Sequence, residues 1–145
     1  MKHRLLYLLL LLMALDFGCK KLTYVPPPPQ PVGTFSGKFA YLHRNNDNIP
    51  YDTLQANVTL KLTSTDGTFT VTGDTSTVHA GSFGTYAINS SVLVFTDKTM
   101  PPVGTPVKKH LSGTYVYAYD GSDLKMLAYS SDTLRYEYDL TKTAN

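Results

Sequence analysis

The chain has no tryptophan, a single cysteine and a single glutamate. Each scarcity closes off a kind of chemistry. Cys19 stands alone and ahead of the folded part, so no internal disulfide staples the domain and its apolar core must hold it. Glycoside hydrolysis needs two carboxyl groups facing a substrate. The lone Glu137 instead alternates with Arg135 and Asp139 in a row that reads as a solvent face with cross-strand charge pairing. Histidine is sparse as well: after the leader only His43, His79 and His110 occur, and the plain reading of them is exposed loop residues. Ala80-Gly81-Ser82-Phe83-Gly84 approaches a nucleophile elbow but lacks its strand-to-helix setting. Asp120-Gly121-Ser122-Asp123 lacks the twelve-residue pattern and distal glutamate of a calcium loop, and reads as a hairpin turn. There is no glycine-rich phosphate loop. No catalytic residue, metal site or cofactor is therefore expected. The formal net charge of +2 falls to about +1 once Lys2, Arg4 and Asp16 leave with the leader. That balance offers no basic face for nucleic acid and no acidic tail for cations.

What is present begins at the N-terminus. Lys2 and Arg4 lead into the apolar run Leu5 to Leu15, followed by Asp16-Phe17-Gly18-Cys19. A charged start, a short apolar stretch and a small residue before a cleavage point make a secretory signal. The run is well short of the roughly 20 residues that span a bilayer as a helix. Cys19 resembles the acceptor of bacterial lipoproteins, which are cut just before the cysteine and acylated on it. Gly18 and Cys19 fit that pattern, while Asp16 and Phe17 stand where an apolar and a small residue are usual. The alternative is a plain secretory signal cut elsewhere. Lys20 to Pro31 then has no hydrophobic periodicity, and Pro26-Pro27-Pro28-Pro29-Gln30-Pro31 favours extended polyproline II. At about 3.1 Å per residue such a stalk holds a domain up to about 40 Å from a membrane. The expected division is a signal over residues 1–18, a lipidated cysteine and linker over 19–32, and one domain over 33–145.

From Gly33 the pattern becomes short runs of period two, punctuated by turn residues. Phe35, Gly37, Phe39 and Tyr41 share one face of the first run. Val58, Leu60 and Leu62 share one face of the second, which ends near Asp66-Gly67. A two-residue turn there pairs Leu62 with Val71 and Ser64 with Phe69. Further on, a three-residue turn at Asn89-Ser90-Ser91 pairs Ile88 with Val92 and Tyr86 with Val94, which points Leu93 and Phe95 outward. Asp97 to His110 is the longest break, and its prolines exclude a regular strand. Loops of this length often bind or cover something. Tyr115, Tyr117 and Tyr119 then face Leu124, Met126 and Ala128, which face Leu134, Tyr136, Tyr138 and Leu140. No helical periodicity follows Leu15. The fold class is all-β: an antiparallel up-and-down meander of about eight strands, most economically closed into a barrel that leaves no open edge. A two-sheet β-sandwich has the same strand grammar and is the competing architecture.

Gly33-Thr34-Phe35-Ser36-Gly37-Lys38-Phe39, Gly84-Thr85-Tyr86-Ala87-Ile88 before Val92-Leu93-Val94-Phe95, Gly113-Thr114-Tyr115, and the closing Tyr136-Glu137-Tyr138-Asp139-Leu140 together resemble the small lipocalin-like lipoproteins common in Bacteroidota. Lipocalins usually open with Gly-x-Trp, and Phe35 stands where that tryptophan would be. The resemblance implies an eight-stranded barrel open at one mouth, sometimes holding an apolar ligand. It also implies a place in a Gram-negative cell envelope, anchored in the outer membrane and facing the periplasm or the cell surface.

Tyrosine is the unusual abundance. Tyr86, Tyr115, Tyr117, Tyr136 and Tyr138 all fall on the interior face of this pattern. They are the candidate ligand-binding residues, with rings for contact and hydroxyls for orientation. The plainer alternative is a packed core, since eight strands enclose a lumen that side chains can fill. Tyr119 and Tyr129, nearer the turns, are candidates for an exposed aromatic patch. The expected function is a non-enzymatic module binding a small apolar or amphipathic molecule. The alternative is an envelope structural or interaction lipoprotein with a filled core, meeting a protein partner through its loops. A hydrolase would require a His–Ser–Asp contact. The membrane is the one partner expected directly, through acyl chains on Cys19, each buried methylene contributing about 0.8 kcal/mol. Wild-type protein should therefore sediment with membranes, and Cys19→Ser should release it to the soluble fraction. A wild type that is already soluble after cell lysis would refute the anchor.

Overall fold

The computed structural model describes residues 28–144 apart from Asp47, Thr65, Ser90, Val103, Thr105 and Pro106. The expected signal, Cys19 and the expected linker as far as Pro27 lie outside the described residues. Eight strands follow: β1 Gly33–His43, β2 Asp52–Thr63, β3 Thr68–Gly73, β4 Ser82–Asn89, β5 Val92–Asp97, β6 Gly113–Tyr119, β7 Asp123–Ser131 and β8 Leu134–Ala144. Each pairs antiparallel with the next, and β8 returns to β1, so the sheet is a closed barrel and not a two-sheet sandwich. The closing seam runs the length of β1, from Thr34↔Ala144 to His43↔Leu134, with one bulge between Thr34 and Phe35. Among the described residues there is no helix.

Alternation drives the closure. Phe35, Phe39, Leu60, Leu62, Phe69, Val71, Leu93, Phe95, Tyr115, Leu124, Met126, Tyr138 and Leu140 are all buried. Their strand neighbours face solvent, as Thr70, Lys125 and Asp139 show. The outward row on β7 and β8 carries the expected charges, with Arg135 2.8 Å from Glu137 and Lys125 3.9 Å from Asp139.

Two registers differ from those expected. Leu62 lies opposite Phe69 and Leu60 opposite Val71. Residues 64–67 thus form a four-residue connection around Gly67 (φ 60°) and not a two-residue turn. A slip of two residues leaves every side chain on its proper face, so the core is unchanged by this correction. At the β4–β5 turn the error is one residue: Ile88 pairs with Leu93, Asn89 with Val92 and Tyr86 with Phe95. One residue reverses the face. Leu93 and Phe95 point inward and are buried, while Val94 is turned out.

The up-and-down order sorts the connections to two ends. The start of β1, the end of β8 and the turns over residues 64–67, 90–91 and 120–122 share one end, called the near end because the linker enters there. The longer connections over residues 44–51, 74–81 and 98–112, with the turn at 132–133, share the far end. At the near end Asp120 caps its own turn, accepting from the backbone N–H of Asp123 at 2.7 Å and of Ser122 at 2.9 Å. Those two bonds hold its carboxyl below the usual carboxylate range, and the stretch is a turn, as expected.

Gly84 has a packing reason to be glycine. A Cβ there would collide with the backbone carbonyl of Thr96 and sit 2.9 Å from Cε1 of Phe69. Gly84→Ala should therefore cost about 1–3 kcal/mol, read as a drop of several degrees in melting temperature. An unchanged melting temperature would mean that β4 and β5 do not approach this closely.

Candidate functional site

The lumen is crossed by rings. Phe69 on β3 meets Phe95 on β5 edge-on at 5.1 Å, Phe95 meets Tyr115 on β6 at 5.8 Å, and Tyr115 meets Tyr138 on β8 at 5.6 Å. Tyr138 then meets Phe39 on β1 at 4.9 Å. Edge-to-face geometry of this kind suits the ring quadrupoles. Rings that bury hydroxyls must also pair them. The β3–β4 connection supplies the partner, because it folds across the lumen and sets His79, fully buried, beside Phe39 at 4.7 Å. The His79 Nδ1–H donates to the Ala80 carbonyl at 2.6 Å, which leaves Nε2 to accept from the Tyr138 hydroxyl at 2.7 Å. Tyr138 in turn packs its ring edge-on against Tyr115. Burial holds the Tyr115 and Tyr138 hydroxyls well above the ordinary phenol range, and so protonated. The reading of His79 as an exposed loop residue is thus overturned: it is a plug across the barrel.

The same segment fastens the far-end loops to each other. Lys109 N donates to Val78 O at 2.8 Å and Ala80 N donates to Lys109 O at 2.9 Å, a parallel bridge between residues 78–80 and 109. Leu111 follows it into the core. His110, between them, is not exposed either: its Nδ1 donates to Asp97 Oδ2 at 2.8 Å, and the Asp97 carboxylate is fully enclosed. The other oxygen of Asp97 accepts from Thr99 N at 2.7 Å and Thr99 Oγ1 at 2.6 Å. A buried aspartate that accepts three hydrogen bonds orients the histidine. Among the described residues no serine hydroxyl is hydrogen-bonded to a histidine; the hydroxyl nearest the His110 ring is Thr99 Oγ1, 3.4 Å from Nδ1, and it donates to Asp97.

His110 borders an open pocket of about 460 Å³ at the far mouth, between the 98–112 connection and β6, β7 and β8. Its lining mixes Met100 and the rings of Tyr115, Tyr129 and Tyr136 with the polar side chains of Lys108, Lys109, His110, Ser112, Thr114 and Ser130. Of the five tyrosines proposed from the sequence, Tyr115 and Tyr136 line this pocket and Tyr138 hydrogen-bonds beneath it. Tyr86 borders a smaller pocket at the near end with Val32 and Ile88, and Tyr117 packs against the core. The five do not converge on one cavity. Tyr129 is exposed as expected. Tyr119 instead packs edge-on against Phe35 at 5.7 Å and donates to Gly121 O at 2.7 Å, and so belongs to the core margin.

Burial lowers the His79 pKa to about 4 from 6.5. The unfolded chain therefore takes up this proton before the folded chain does. Stability is full above about pH 6.5, falls with pH through that window, and levels off below about pH 4 after losing about 3 kcal/mol. Urea midpoints compared at neutral pH and near pH 4 should show wild type losing that much more than His79→Gln. Equal losses would mean that the folded barrel lets the imidazole protonate freely.

The chain matches no protein-family model, no curated protein and no solved structure, so the chemistry of the far mouth is what bears on function.

Proposed function

We propose that this protein is a lipid-anchored, non-enzymatic, lipocalin-like module of a bacterial cell envelope that holds a small amphipathic molecule at the far mouth of its barrel. The observation that carries the reading is the pocket whose lining joins the rings of Tyr115, Tyr129 and Tyr136 to Lys108, Lys109 and His110. Such mixed lining, with polar groups set among apolar surface, is what small-molecule sites share. The filled lumen moves the binding position expected from the sequence outward, from the interior to the mouth. The pocket floor is packed, with Tyr136 stacked on Phe39 at 6.5 Å and Tyr115 edge-on against Tyr138. A floor ordered before binding saves the ordering cost on binding.

A second reading draws on the same filled lumen: an envelope interaction protein working through its far-end loops. At that rim Arg44 and Arg135 lie 4.7 and 5.2 Å from the Tyr51 ring, and Arg135 6.0 Å from the exposed Tyr129.

Native mass spectrometry of Cys19→Ser protein recovered from the periplasm separates the two. A ligand-binding module should carry extra mass that disappears on denaturation, and the added substitution Tyr129→Ala should remove it while Tyr86→Phe, at the other end, keeps it. A clean apo mass, unchanged after exposure to mixed lipids and fatty acids, would favour the interaction protein.

A further inference from the structure

Resting on that reading of the pocket, we infer that its occupant is a single-chain anionic amphiphile, its acidic head held by Lys108 and Lys109. No acidic side chain lines the pocket, whereas two lysines in succession do. Neither lysine has a carboxylate within ion-pair distance among the described residues; the ion pairs there are His43–Asp52, His110–Asp97, Lys125–Asp139 and Arg135–Glu137. Each ammonium group instead has one contact beside the pocket. Lys108 Nζ donates to Thr75 O at 2.6 Å, which uses one of its three protons and leaves two donors. Lys109 Nζ sits 4.4 Å over the Tyr41 ring, a contact that positions the charge without neutralising it.

The position of the pair comes from the fold. The parallel bridge of Lys109 to Val78 and Ala80 draws this stretch over the mouth. His110 directs Nδ1 to the enclosed Asp97, so Nε2 is its remaining polar atom. Asp97 itself is covered and accepts three hydrogen bonds, so its oxygens are already taken by protein donors. In the same lining, Met100, Ala128, Tyr129 and Tyr136 offer a surface for an alkyl chain. A neutral lipid would find the apolar surface and leave two cations unanswered. An inorganic anion would find the cations and leave that surface bare. A head and tail joined in one molecule satisfy both.

Calorimetric titration of the Cys19→Ser chain with octanoate, octyl phosphate and 1-octanol tests this, since the three share a tail and differ in the head. At least one of the two anions should bind tenfold or more tightly than the alcohol, and which of them does so tells a carboxylate from a phosphate. Added salt should weaken the anion and leave the alcohol unchanged. In Lys108→Gln and Lys109→Gln the anion should fall towards the alcohol, with the alcohol unaffected as a control for folding. Equal affinity for anions and alcohol would overturn the anionic head while leaving an amphiphile pocket in place. Failure of all three to bind would remove the binding reading itself.

Discussion

Eight strands enclose a lumen only wide enough for side chains to meet in its middle, and here they meet as rings. Phe69, Phe95, Tyr115, Tyr138 and Phe39 cross from β3 to β1 without a gap. Much else in the structure follows from two of those rings being tyrosines. A phenol hydroxyl at the centre of an apolar barrel costs a few kcal/mol unless it is paired. The partner cannot come from the wall, whose inward positions are nearly all apolar. It comes from a loop, and the β3–β4 connection crosses the lumen with His79 at its tip to meet Tyr138 on β8. The plug satisfies the interior, and it also determines that any ligand sits above it.

Fixing one loop fixes its neighbour. Once residues 78–80 lie across the barrel, their backbone N–H and C=O groups need partners, and Lys109 supplies them. That bridge, with Leu111 in the core and His110 on Asp97, ties the long β5–β6 connection down at its C-terminal side. The side chains of Lys108, Lys109 and His110 then border the pocket as a consequence of backbone pairing. These members of the pocket lining are in this sense an outgrowth of how the core hydroxyls are paired.

How much of this was legible in the residues depends on the range of the interaction. Strand identity and facing come from local alternation, and they are readable for every strand but one. The exception is β5, where Val92, Leu93, Val94 and Phe95 are all apolar, so alternation carries no information and the face rests on the length of one turn. Asp66-Gly67 announced its turn truly, yet the chain spends four residues there; parity survived and the core with it. The site is another matter. His79 carries no local mark of burial, because what buries it is a ring on β8, 59 residues away. Asp97 and His110 are separated by a proline-rich stretch that has no periodicity from which to infer that they meet. The only available hint was the apolar company of His79, between Val78 and Ala80, in a loop otherwise made of small polar residues.

The topology also bears on what the anchor and the pocket can do together. The linker enters at the near end, where β1 begins, and the far mouth lies at the other end of the tilted strands. β1 alone has 11 residues, and at about 3.3 Å per residue that is on the order of 35 Å. If Cys19 carries lipid, the tether joins the barrel at the end opposite the pocket. An anionic head held by two lysines at the rim, with the tail on the tyrosine rings, fits shallow capture better than deep storage. A molecule so held stays close to solvent and can be passed on without the barrel having to open.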